Sequence, residues 1–190
     1  MMRAVVATLV IFVGVQAAQA GLPKGPLWNF LRRTAAIRQG AGHARLYVFF
    51  DPNCPYCHDL YETLQPLIGR EGLAVRWVPV GILALSSYGK AAALLEAADP
   101  AAALARMERG FRDGRGAVRP ARATARVARG LLYNVRLFEA SGAEGVPFLV
   151  FRTPGGQVRT VEGDPPYAAL ARIVGSIAGL SRSRPERAAP

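Results

Sequence analysis

An α/β sheet domain interrupted by a helical block is the architecture this sequence predicts, and three observations carry it. Two runs rich in aromatic and β-branched residues, Arg45 to Phe50 and Leu73 to Val80, read as buried strands on either side of a helical segment. Between Lys90 and Leu137 the pattern turns helical, broken at Asp99-Pro100 and by a Gly/Arg-rich stretch from Gly110 to Pro120. Strand character then returns at Val146 to Phe151 and Gln157 to Val161, joined by the turn Pro154-Gly155-Gly156. The order is strand, helix, strand, helical block, hairpin, helix.

The first segment stands apart from this fold. Arg3 supplies a positive start, Ala4 to Val15 is continuously apolar, and Ala18-Gln19-Ala20 is an A-x-A cleavage signal, so residues 1–20 read as a signal peptide cleaved after Ala20. The apolar run is short for a membrane span, and Gly21-Leu22-Pro23 breaks the chain behind it; an uncleaved anchor is the alternative. No cysteine follows the run to take a lipid. Export places the mature protein in the periplasm, where disulfides persist.

Residues 21–44 form a linker with a short amphipathic helix expected over Leu27 to Ile37, apolar at 27, 28, 30, 31, 35 and 37. The sheet domain is expected over 45–180. Its first helix is read over Asp59 to Ile68 with an interruption at Pro66, its helical insertion over about 88–140, and its closing helix over Tyr167 to Ile177. The polar, proline-bearing end at 181–190 reads as a flexible tail.

The chain is strongly basic, with 24 Lys and Arg against 13 Asp and Glu, a net charge of +11. Arginines 106, 109, 112, 115, 119, 122, 126 and 129 recur every three or four residues, but glycines and Pro120 break any continuous stripe. In an exported protein this favours contact with anionic lipid or acidic clients, and nucleic acid is not expected as a partner.

Chemistry concentrates in "FFDPNCPYCHDLY", residues 49–61, which holds both cysteines of the chain. A strand feeding a helix puts Cys54 near the helix N-terminus, where unpaired N-H groups and the macrodipole stabilise a thiolate. Pro55 suits the first helical turn. Cys54, expected to be the more exposed of the two, is the candidate nucleophile, and Cys57, about one turn on, the candidate resolving thiol. A structural staple closing so short a loop would constrain little. A zinc site lacks ligands, since His43 and His58 are the only histidines and there is no second C-x-x-C.

His58 has two readings: a protonated neighbour favouring the thiolate, or a surface residue on the first turn. Asp51 and Asn53 are expected to shape the strand-to-helix turn. Tyr56, between the cysteines, offers a ring to an approaching polypeptide. Trp28 and Trp77 read as packing residues, and His43 is assigned no role.

The strand followed by Cys-Pro-Tyr-Cys resembles the thioredoxin superfamily, and "LYVFFDPNCPYCHDLY" is similar to the catalytic domain of the periplasmic disulfide isomerases DsbC and DsbG. "WVPVGILALSSYGKAAALLEAADPAAAL" (77–104) looks like that family's strand and its entry into the helical insertion. "NVRLFEASGAEGVPFLVF" (134–151) is similar to its helix, loop and cis-proline strand. Together these cover roughly residues 27–179.

The resemblance implies a thioredoxin-like fold with an inserted helical subdomain. It also implies a cis bond before Pro147, with the backbone of Val146 beside the cysteines to pair with an extended client. The activity implied is thiol:disulfide exchange on exported proteins without a diffusible cofactor, the Cys54–Cys57 pair being reset by a membrane redox partner. Two departures qualify this. The isomerases have a substantial N-terminal dimerisation domain, for which there is little room before Arg45, so a monomer is expected. Val146 stands where the isomerases typically have threonine, and valine is what the oxidase DsbA shows. A DsbD-type reductant fits the DsbG resemblance and a DsbB-type oxidant fits Val146. The alternatives to a DsbG-like reductase or isomerase are a monomeric DsbA-like oxidase and a chaperone or assembly factor.

Overall fold

A computed structural model describes residues 27–68, 72–112, 118–177 and 179. The expected signal peptide and tail lie outside the described residues. The elements in chain order are α1 (Leu27–Leu31), β1 (Ile37–Gln39), β2 (Ala44–Phe50), α2 (Pro55–Leu64), β3 (Leu73–Pro79), α3 (Ser87–Glu96), α4 (Pro100–Arg109), α5 (Ala125–Ala140), β4 (Phe148–Arg152), β5 (Val158–Glu162) and α6 (Tyr167–Gly175). The expected α/β fold is observed, with α3, α4 and α5 inserted between β3 and β4.

The sheet order is β1-β3-β2-β4-β5. β2 and β3 are parallel, with Val48 opposite Trp77, and the other three pairings are antiparallel. β2 sits in the middle, which explains its nearly unbroken apolar run: both of its faces are covered. Leu46, Val48 and Phe50 point into one core with Cys54, Cys57, Leu60, Trp77 and Leu104. Tyr47 and Phe49 point into a second core with Leu31, Leu137 and Phe138. Period-two alternation of side chains divides one hydrophobic strand between two cores.

Three sequence expectations are corrected. The first helix ends at Leu31 rather than Ile37, and Ile37 is fully buried in β1, an edge strand paired with β3. Three residues carry too little period-two signal to be seen beside a helical pattern. The second helix starts at Pro55, four residues before Asp59, because Cys54 caps it; it gives way at Gln65–Leu67 to a 3₁₀ turn around Pro66. The fourth strand runs Phe148–Arg152, leaving Val146 and Pro147 outside the ladder.

Side-chain caps open two of the inserted helices, α4 and α5. Asp99 accepts from the Ala102 amide at 2.9 Å with Pro100 at the first helical position, so the Asp99-Pro100 break is the start of α4. Asn134 of α5 is fully buried: its side-chain oxygen accepts from the Ala35 amide at 3.0 Å, and its amide donates to the carbonyls of Ala35 (2.9 Å) and Pro79 (3.0 Å). One side chain thus ties the insertion to the segment after α1 and to the end of β3. Among the described residues no helix is long and apolar enough to cross a membrane.

Candidate active site

β2 ends at Phe50, and the chain reaches Cys54 through a turn that Asp51 organises. Asp51 is 1% exposed, and its carboxylate accepts four hydrogen bonds. Oδ1 takes the Asn53 amide at 2.8 Å and the Ser87 hydroxyl at 2.7 Å; Oδ2 takes the amides of Ile82 at 2.6 Å and Leu83 at 2.9 Å. The Asn53 side chain donates to Ser87 Oγ at 2.7 Å and accepts from Lys90 Nζ at 2.6 Å. The strand-to-helix turn is therefore clamped to the loop after β3. Asp51 and Asn53 do shape the turn, as their residue types suggest, but Ser87 and Lys90 were not legible as their partners.

Gly81 makes the approach possible. Its φ is +60°, and a Cβ there would lie 2.9 Å from the Tyr88 Cα. The clamped loop leaves Ile82, Leu83 and Leu85 exposed, with Tyr88 of the first turn of α3 beside them, on the segment held against the cysteine turn. Tyr56 is 65% exposed between the two cysteines.

Cys54 is the N-cap of α2. Its sulfur accepts from the Cys57 amide at 3.4 Å, and its thiol faces the Val146 carbonyl at 3.5 Å. The Val146–Pro147 bond is cis, and Pro147 is buried just before β4. The structure thus brings together Cys54, Cys57 and the Val146 carbonyl, from segments 92 residues apart.

The two thiols are free in this structure, and their environments drive them apart. At the surface the difference expected between them is slight, with Cys54 3% and Cys57 2% exposed. What separates them is hydrogen bonding and depth. The Cys57 thiol donates to the Cys54 sulfur, which outweighs burial, and the backbone amides of Cys57 and Tyr56 add to it; the Cys54 thiol is lowered to about 7. Cys57, deeper and facing the Cys54 sulfur, is pushed far above the ordinary thiol range by desolvation.

His58 is neither on the surface nor turned toward the thiols. It is 6% exposed, its Nδ1 lies 2.9 Å from Glu108 Oε2, and its ring stacks on Phe111 at 4.8 Å. Its helical position points it at α4 of the insertion, away from the sulfurs, and it is not among the groups that shift Cys54. Trp77 is buried against Phe50 and Tyr61, its indole N-H donating to Gln39, and Trp28 packs edge-on against Tyr47. Both act in packing. Arg106 and Arg109 lie on α4 and Arg126 and Arg129 on α5, with Arg112 paired to Asp59 and Arg119 and Arg122 on the segment before α5; Arg115 lies outside the described residues. Among the described residues no cluster of His, Cys, Asp and Glu has the makings of a metal site.

The sequence profile of the thioredoxin-like domain matches residues 32–178, the whole sheet and insertion. The chain belongs to the thioredoxin-like domain family. Among its relatives is the thiol:disulfide interchange protein DsbG of Pseudomonas aeruginosa, 32% identical over 152 residues that make up 78% of this chain and 59% of that protein. The DsbG of Escherichia coli is 26% identical, with 61% of its length matched, so the chain spans about three fifths of these curated relatives. A disulfide interchange protein from Neisseria gonorrhoeae superposes with a TM-score of 0.56 at 29% identity, covering 74% of this chain and 94% of that one. A periplasmic thioredoxin-like protein from Salmonella enterica serovar Typhimurium superposes with a TM-score of 0.64 at 20% identity, over 81% and 97% of the two chains. Within this thioredoxin-like fold, the C-x-x-C pair sits where β2 meets α2.

Proposed function

We propose that this protein is a periplasmic, DsbG-like thiol:disulfide oxidoreductase in which Cys54 is the nucleophile and Cys57 the resolving thiol. The observation that carries the reading is the opposite shift of two adjacent thiols. Cys54, lowered to about 7, is substantially ionised at neutral pH, while Cys57 holds its proton.

In the reducing direction the Cys54 thiolate attacks one sulfur of a client disulfide, forming a mixed disulfide and expelling a client thiolate. Cys57 then gives up its proton to the departing thiolate and attacks Cys54. The Cys54–Cys57 disulfide forms, and the second client sulfur leaves. Two electrons and the Cys57 proton pass to the client, whose other sulfur leaves as a thiolate and takes its proton from solvent, and a membrane reductant of the DsbD type returns the pair to dithiol. In the oxidising direction the same steps run backwards, with an oxidant of the DsbB type. The Val146 carbonyl and Pro147 would line an extended client strand, and Tyr56 with the apolar loop at 82–85 would receive its side chains. Clients are thus exported, disulfide-bearing proteins presenting extended apolar segments. The relatedness to DsbG favours the reducing or isomerising direction, and the valine before the cis-proline favours the DsbA-like one.

The test uses a Cys57→Ser variant and a disulfide-bonded model protein such as insulin. A mixed disulfide is expected to accumulate at Cys54 and to be absent from Cys54→Ala. Should Cys54→Ala support client maturation as well as the parent, the protein is a chaperone or assembly factor instead. The redox state of the pair in cells, read by alkylation and mobility shift, separates the directions: mostly reduced for a reductase or isomerase, mostly oxidised for an oxidase.

A further inference from the structure

At the far end of the sheet from the cysteines, on its opposite face, lies a cavity of about 300 Å³ lined by Arg32, Arg38, Arg45 and Arg76 together with Thr34 and Tyr47. Strand register assembles it. Arg38 of β1 stands directly opposite Arg76 of β3, and Tyr47 of β2 is opposite Arg76 on the other side. Arg45 shares the face of Tyr47 two residues earlier on β2.

Placing like charges opposite one another across paired strands is destabilising. Among the described residues no acidic side chain lines the cavity and no carboxylate pairs with these four arginines. One Arg76 nitrogen, Nη1, is also buried with no hydrogen-bond partner. A buried donor left unpaired costs free energy and marks a place where an ion or water belongs. Burial, and after it the charge of Arg38, pushes the Arg76 guanidinium below its ordinary range. Guanidinium groups present planar forks that match the oxygens of a phosphate, and a threonine hydroxyl and a tyrosine complete a polar lining.

We propose that this arginine cavity binds a phosphate-type oxyanion, supplied either by a soluble phosphate or by the headgroup of an anionic lipid. The site is independent of the cysteine chemistry: it faces the α1 side of β2, whereas both sulfurs lie in the other core.

The experiment compares the full chain with Arg76→Gln, with Arg38→Gln and with Arg129→Gln, which removes the same charge from an exposed helix position outside the cavity. Calorimetric titration with pyrophosphate, at ionic strength held constant with sodium chloride, is the first arm. Cosedimentation with vesicles of equimolar phosphatidylcholine and phosphatidylglycerol is the second. Saturable binding in either arm is expected to weaken roughly tenfold or more in Arg76→Gln and Arg38→Gln, since each removes a charge-assisted hydrogen bond. Arg129→Gln should stay within about twofold, because it removes only a distant, screened charge. Binding in the pyrophosphate arm identifies a soluble phosphate; binding confined to vesicles identifies a headgroup. Arg38 is exposed, so its variant serves even where Arg76→Gln fails to fold. Absence of saturable binding in both arms overturns the proposal, as does an equal loss in the cavity variants and in Arg129→Gln.

Discussion

His58 Nδ1 lies 2.9 Å from Glu108 Oε2, joining the residue directly after the cysteine pair to the inserted helix α4. Both side chains are within 7% of full burial, and Phe111 closes over the imidazole. Around the pair stand Glu62 on α2 and Arg109 and Arg112 beyond the carboxylate, with Arg112 already engaged by Asp59. The helix α2 and the insertion are thereby held through a buried polar contact rather than apolar packing alone.

That contact should be pH-dependent. Desolvation raises the Glu108 carboxyl to about 7 against the pull of His58, so the folded state holds a proton that the unfolded chain releases near 4.5. Between those values the unfolded state gains relative to the folded one, and the contribution of Glu108 to stability falls as pH rises. Glu108→Gln, which keeps an acceptor for His58 without the charge, should gain in melting temperature relative to the parent as pH goes from about 4.5 to about 7. A constant difference across that range would contradict the assignment.

Alkylation of the reduced protein should follow a single titration with a midpoint near 7, with modification confined to Cys54. Replacing Cys57 by Ala removes the strongest stabiliser of the Cys54 thiolate and should move the midpoint upward. The sign for stability is the reverse of that for Glu108. An acid whose pKa is depressed on folding stabilises the native state as pH rises, here from about 7 toward the ordinary 9. Mass spectrometry after pulsed alkylation at stepped pH checks both statements.

Asp51→Asn should act twice. It replaces an acceptor of four hydrogen bonds by a group that retains one oxygen, leaving buried donors from Ile82, Leu83, Asn53 or Ser87 unsatisfied; about 2 to 4 kcal/mol of stability should be lost. It also removes a negative charge that disfavours the Cys54 thiolate, so the Cys54 midpoint should fall. Denaturant unfolding reads the first effect and the alkylation profile the second. A purely structural role would leave the second unmoved.

Asn134→Ala should cost about 2 to 4 kcal/mol in denaturant unfolding, because it strands the Ala35 amide and two carbonyls. Asn134→Asp should fare no better, since a carboxylate cannot donate to the carbonyls of Ala35 and Pro79.

The sequence by itself determined the central strands, the inserted helices, the hairpin and the place of Cys54 at a helix start, because each is written in local pattern: apolar runs, an Asp-Pro cap, a Pro-Gly-Gly turn, a proline after the first cysteine. The tertiary structure alone decided what surrounds those elements. The Asp51–Ser87 clamp spans 36 residues, the His58–Glu108 pair 50, and the Cys54–Val146 approach 92. Local periodicity reports which face of an element is apolar, and is silent about which polar groups on distant elements will meet. His58 shows the limit plainly. Its type and position allowed a surface residue or a thiolate partner, and only the packing of α4 and Phe111 over α2 buried it beside a carboxylate. The four arginines of the far cavity are as ordinary in sequence as any others in a chain of net charge +11. Strand register, which places Arg38 against Arg76, is what gathers them into one site.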